Sequence, residues 1–179
     1  MTFEESLVTA ASAYGPVVAL GKPGQKLTPI GAARELVSEG TWTDSIDALV
    51  RDSVAIIAVV GDTPGLLWEF GHLRVRTSFH KLLLIVPPVA RPELLRRLEA
   101  VFDALPEMSR VPHETLLDAG LAVLLRLSTE PLVFVSTSRN EAGYFEAMRQ
   151  AMPYVLPGAG ADAAYPREAP LLSGAAKAT

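Results

Sequence analysis

Residues 54–60 read Val-Ala-Ile-Ile-Ala-Val-Val, seven apolar side chains without a break, and Gly-Asp-Thr-Pro-Gly follows at once. A run this short, rich in β-branched residues and closed by turn formers, is a strand rather than a helix. Successive side chains of a strand point to opposite faces, so an unbroken apolar run needs both faces covered. Sheets with helices on both sides meet that need, and the run therefore predicts an α/β domain with 54–60 as a central parallel strand. The next stretch agrees. Leu82–Val86 is a second apolar run, stopped by Pro87 and Pro88, and Leu66, Leu67, Phe70 and Leu73 between the two runs are spaced for a helix.

The same reasoning extends in both directions. Phe3, Leu7, Ala10, Ala11 and Tyr14 predict an amphipathic helix over 3–14, ended by Gly15. Val17–Leu20 reads as a short buried strand and Ala33–Val37 as a further one. Thr43 is the expected N-cap of a helix whose inner face carries Ile46, Leu49 and Val50. Beyond Pro92, a helical stripe runs through Leu94, Leu95, Leu98, Val101, Phe102 and Leu105. Residues 121–127 and 132–137 predict two strands joined at Ser128-Thr129-Glu130-Pro131 as a hairpin. A last helix is expected over 142–152, with Tyr144, Phe145 and Met148 inward. Alternating strands and helices predict a three-layer, Rossmann- or flavodoxin-like, mostly parallel sheet with a C-terminal β-hairpin on one edge. One domain is expected over 1–157. From 158 to 179 the chain is small, aperiodic and expected to form a disordered tail.

Composition excludes several chemistries. The 179 residues include no cysteine, so disulfides, thiolate zinc sites and cysteine nucleophiles are out. His72, His80 and His113 have no metal-ligand spacing, and neither a metal nor a cofactor is expected. A net charge of −4 argues against nucleic acid or an anionic membrane as the main partner. The acidic start, Met1 to Glu5, does not read as a signal peptide. The longest apolar runs fall far short of the ~18 residues of a membrane span. A cytoplasmic domain without membrane insertion is the expectation.

Open α/β sheets bind ligands beyond the carboxyl ends of their strands. Two loops qualify, Gly21-Lys22-Pro23-Gly24 and Asp62-Thr63-Pro64-Gly65. Glycines there let a ligand approach the backbone, so Gly21, Lys22, Gly24, Thr63, Gly65 and Trp68 are the candidate binding residues. Glu69, early on the helix after the second loop, is the candidate catalytic carboxylate. It reads equally as a solvated acid favoured by the helix dipole. Trp68 also fits a core or interface position, and Asp62 an ordinary turn. Gly21–Gly24 lacks the order of a phosphate-binding P-loop. Gly71, a glycine inside a helix, suggests close packing or ligand access.

Residues 54–88 resemble the central segment of nucleoside 2-deoxyribosyltransferases and, more distantly, of TIR domains that cleave NAD. The matching parts are the strand Val54–Val60, the loop Asp62–Gly65, the helix-borne Glu69 and a second strand introduced by Lys81. The resemblance implies a nucleoside, nucleotide or NAD-like partner and cleavage or transfer at an N-glycosidic bond. Glu69 would stabilise or attack the oxocarbenium-like centre, Asp62 would assist the leaving base, and Trp68 would stack on a ring. It also implies a homo-oligomer, for which Trp68 and Phe79 are candidate anchors. A second likeness runs through Gly15–Ala19, Gly21–Gly24, Gly31–Arg34 and Thr63–Glu69. These stretches are similar to uncharacterised cytosolic domains of bacterial membrane proteins. That likeness implies the alternative function, a non-catalytic sensor or protein-interaction domain.

Overall fold

In a computed structural model of the chain, residues 2–21, 33–36, 42–75, 78–124, 131–136 and 138–156 are described. Thr2 starts the first helix, α1 (Phe3–Ser12), through a capping box. Its hydroxyl accepts from the Glu5 amide, and the Glu5 carboxylate accepts from the Thr2 amide at 2.7 Å. Strands β1 (Val18–Gly21) and β2 (Ala33–Leu36) form a parallel pair. Helix α2 (Trp42–Asp52), strand β3 (Ile56–Val59), helix α3 (Pro64–Val75) and strand β4 (Leu82–Ile85) follow. Then come α4 (Arg91–Ala104), a 3-10 turn (Pro106–Arg110) and α5 (His113–Asp118). The hairpin β5 (Gly120–Leu124) and β6 (Leu132–Val135) leads into α6 (Glu141–Val155).

The layers follow from strand alternation. Leu82, Leu84 and Val86 pack with Phe70, Leu73, Leu94, Leu98, Val101 and Leu116, which belong to α3, α4 and α5. Leu83 and Ile85 face the other way and pack with Leu7, Ala10, Tyr144, Ala147, Met148 and Ala151 of α1 and α6. Every residue of β4 is buried, because helices cover both of its faces. In the hairpin, Gly120 is opposite Val135 and Ala122 opposite Phe134, so Leu121 is an extra residue. This bulge turns Leu121 and Ala122 toward the same α1–α6 core.

Helix α6 continues through Pro153, three residues beyond its expected end at Met152. Proline has no N–H to give the carbonyl four residues back, which is that of Arg149. The Tyr14 hydroxyl donates to that carbonyl instead, at 3.3 Å. A side chain just past the C-cap of α1 thus supplies the bond that the proline cannot.

Within the four-stranded sheet the order is β3-β4-β5-β6, and only β3–β4 is parallel. The sheet is therefore mixed, and the hairpin extends one edge as expected. The reason lies in α5, which sequence periodicity does not predict. A single helix, α3, carries the chain back so that β4 starts at the same end as β3. After β4 there is an out-and-back pair instead, α4 and then α5. The start of α4 meets α5, with Arg91 bound to Glu114 at 2.6 Å and to Asp118. The chain thus re-enters the sheet where β4 stopped, and the Val86 amide donates to Leu121 at 2.8 Å. Antiparallel pairing follows from this even number of crossings.

Other local expectations also change. Helix α2 begins at Trp42, which places Thr43 in its first turn rather than at its cap. The C-cap of α1 is Ala13, two residues before Gly15. Phe145 is 46% exposed and does not join Tyr144 and Met148 in the core. Among the described residues β3 has a single sheet neighbour, β4, rather than one on each side. The hairpin turn at 128–130 and the tail at 158–179 lie outside the described residues. No helix among those described is long and apolar enough to cross a membrane.

Candidate functional site

The carboxyl end of β3 delivers the chain to the loop singled out by the sequence. Val60 is fully buried, and its amide donates to Ile85 at 2.8 Å, which holds the loop to β4. Thr63 caps α3: its hydroxyl accepts from the Leu66 amide at 3.4 Å and its carbonyl from Leu67 at 3.1 Å. Pro64 takes the first helical position, where a missing N–H costs nothing. Asp62, Thr63, Gly65, Trp68 and Glu69 therefore lie on one loop-to-helix segment. Gly21 ends β1, whereas Lys22 and Gly24 lie outside the described residues.

The segment fans its side chains toward different neighbours. Asp62 reaches α4 and forms an ion pair with Arg96. Arg96 also binds Glu93 at 2.8 Å, and Glu93 binds Arg97 at 2.8 Å. Arg97 in turn donates to the Val60 carbonyl at 3.4 Å. Two carboxylates and two guanidinium groups thus form one chain of contacts along the crest above β3. For Asp62 to hand a proton to a leaving base, its ion pair with Arg96 would first have to open.

Trp68 turns toward α2. Its ring stacks on His72, with centroids 5.0 Å apart and planes 18° from parallel. The His72 Nε2 atom lies 2.6 Å from an Asp47 carboxylate oxygen on α2. Trp68 and His72 are four residues apart and so share a helix face, and Trp68 remains 43% exposed. Glu69 is one residue further round the helix, about 100° from Trp68, and is half-buried. The structure therefore groups Trp68 with His72 and Asp47, and Asp62 with Arg96.

Lys81 has a structural task. Its ammonium group donates to the carbonyls of Val50 at 3.1 Å and Ser53 at 2.8 Å, at the carboxyl end of α2. That is where a helix leaves carbonyls without intrahelical partners and where a cation is favoured. Among the residues missed by sequence reasoning are Asp47, Arg96 and Arg97 as members of these groups. His72 carried one hint, its helical spacing from Trp68.

Gly71 is corrected by geometry. A Cβ built on it meets nothing within 4 Å, so the position is not reserved for close packing. Gly71→Ala should stabilise the domain by up to about 1 kcal/mol, the helix-propensity difference. The thermal midpoint should rise by roughly 2–4 °C. A lower midpoint would mean that something packs over this face in solution.

Compared with protein-family models, with curated proteins and with solved structures, the chain has no match.

Proposed function

We propose that this domain recognises a nucleoside, nucleotide or NAD-like molecule at the carboxyl end of β3, on the cytoplasmic side of the cell. The observation that carries the reading is the crest itself. A glycine-containing loop runs from a parallel strand into a capped helix, and Arg96 and Arg97 are held beside it by Glu93. A phosphate would compete with Asp62 and Glu93 for guanidinium groups already in place. The exposed face of Trp68 offers a ring on which a base can stack. Recognition alone makes the domain a sensor.

The mostly parallel layout belongs to the same proposal. If β1 sits beside β3, the sheet becomes β2-β1-β3-β4-β5-β6, and the loops after β1 and β3 share one crest. Tyr14 and Val17, just ahead of β1, already pack in the core that takes Ala55, Ile57 and Val59. The chain has no cysteine of its own, so a pair introduced as Ala19→Cys and Ala58→Cys can report specifically. Cross-linking by a short bifunctional reagent is expected. Its failure across neighbouring positions of β1 and β3 would remove this sheet order.

A second reading, cleavage of an N-glycosidic bond, is favoured by Glu69, which is half-buried beside the exposed Trp68. The test separates the two. A 2′-deoxynucleoside, a nucleotide or NAD should raise the thermal midpoint by mass action. If the domain is also a catalyst, one of these compounds should release its base. Glu69→Gln should then lower the chemical step by orders of magnitude while changing binding far less. If no such compound stabilises the protein or is turned over, both readings fall.

A further inference from the structure

Helices α1 and α6 leave an open groove on their outer side, of about 490 Å³, lined by Ser6, Thr9, Glu141, Ala142, Phe145 and Glu146. It lies across the sheet from Glu69, because α3 packs on the opposite face. Its hydroxyl groups are already engaged within their own helix. Ser6 donates to the Thr2 carbonyl at 3.2 Å and Thr9 to the Glu5 carbonyl at 2.8 Å. The wall therefore presents mainly carbon, and Phe145 is 46% exposed in it.

The shape of the groove comes from the two helices running side by side in the same direction. The Phe3 ring meets Tyr144 at 4.8 Å, and further along Tyr14 reaches Arg149. A groove between two such helices accepts a third helix, whose apolar stripe supplies the anchors. The charge is one-sided. Helices α1 and α6 carry Glu4, Glu5, Glu141 and Glu146 against a single cation, Arg149. Arg149 is bound to Glu146 at 2.6 Å, which leaves the other three carboxylates without a basic side chain on these two helices.

We propose that this groove docks an amphipathic helix of a partner protein, with a bulky apolar side chain set on Phe145 and Ala142 and lysine or arginine facing Glu141, the lining carboxylate not bound to Arg149. The complementary charge selects a basic helix, and the carbon-lined floor requires an apolar anchor. The surface is independent of the ligand reading at the crest, so either can fail alone.

Two synthetic amphipathic helices test the proposal, one of leucine and lysine and one of leucine and glutamate with the same leucine pattern. Fluorescence anisotropy against the full chain should show micromolar binding of the lysine peptide and at least tenfold weaker binding of the glutamate peptide. Phe145→Ser and, separately, Ala142→Arg should each weaken the lysine peptide about tenfold or more. Both positions are exposed, so the thermal midpoint should hold. Glu99→Lys on α4, across the sheet, should leave the affinity unchanged. Equal binding of the two peptides, or indifference to both groove variants, overturns the proposal. So does a self-associated form in sedimentation that Phe145→Ser abolishes, because a second copy would then own the groove.

Discussion

Gly120→Ala is expected to destabilise the domain by roughly 3 kcal/mol, at the upper end of the usual cost of overpacking. The thermal midpoint should fall by about 6–12 °C. A Cβ on Gly120 would lie 2.8 Å from the Leu116 Cα, 2.9 Å from its Cδ2 and 3.1 Å from its carbonyl oxygen. The first and third of these are backbone atoms, so no rotamer change relieves them, and α5 must move. That movement has a second cost. The Arg139 guanidinium donates to the carbonyls of Leu116, of Leu117 at 3.0 Å and of Gly120 at 3.2 Å. It ties the end of α5 to the start of β5, and displacing α5 strains all three bonds. Urea denaturation of Gly120→Ala beside Gly71→Ala gives the cleanest check. The same chemical change should have opposite signs at the two glycines. Equal effects would sink the geometric account of both.

Tyr144 should make the fold sensitive to alkali. Its ring is 2% exposed, and its hydroxyl donates to the Val86 carbonyl at 2.6 Å. Burial pushes the phenol up to about 12, against a smaller downward pull from the Arg139 charge. In the unfolded chain the group titrates near ~10. Between these values the unfolded chain releases a proton that the folded chain keeps. The stability linked to the neutral phenol is therefore complete below about pH 10 and is lost as the pH rises through about 12. The gap between the folded and unfolded titration points corresponds to roughly 2–3 kcal/mol. Tyr144→Phe should cost about 1–2 kcal/mol near neutrality, because the buried Val86 carbonyl loses its donor. In return, the variant should lose less stability in alkali. Urea midpoints of both proteins at about pH 8 and pH 11 isolate the effect, since every other titrating group is common to the two. Parallel losses would show that Tyr144 ionises without cost to the fold.

These expectations also mark how far local sequence reaches. The apolar runs at 54–60 and 82–86 located β3 and β4, because a strand covered on both faces has no polar position to spare. Phe3 to Tyr14 and Leu94 to Leu105 located α1 and α4, because one face of a helix repeats every 3.6 residues. The two strands of the hairpin were legible as short apolar runs on either side of Ser128-Thr129-Glu130-Pro131. Helix α5 was not: six residues make fewer than two turns and leave no period to detect. With α5 not legible, the sequence left the direction of β5 open, and the structure shows it antiparallel to β4.

The site divides along the same line. Local order put Asp62, Thr63, Gly65, Trp68 and Glu69 on one loop and helix, because a strand, a turn and a capped helix are all short-range patterns. What each side chain meets was decided by packing. Asp62 finds Arg96, 34 positions on, only because α4 lies beside the crest, and His72 finds Asp47, 25 positions back, only because α2 lies beside α3. Lys81 looks like the start of a strand in sequence and serves in space as the cap of α2. Periodicity is a property of neighbours along the chain, so the sequence by itself determined which segments are helix and strand and which faces are apolar. The choice of partners for charged and aromatic groups depends on which helices the sheet brings side by side, and that was settled only when the crossings closed the fold.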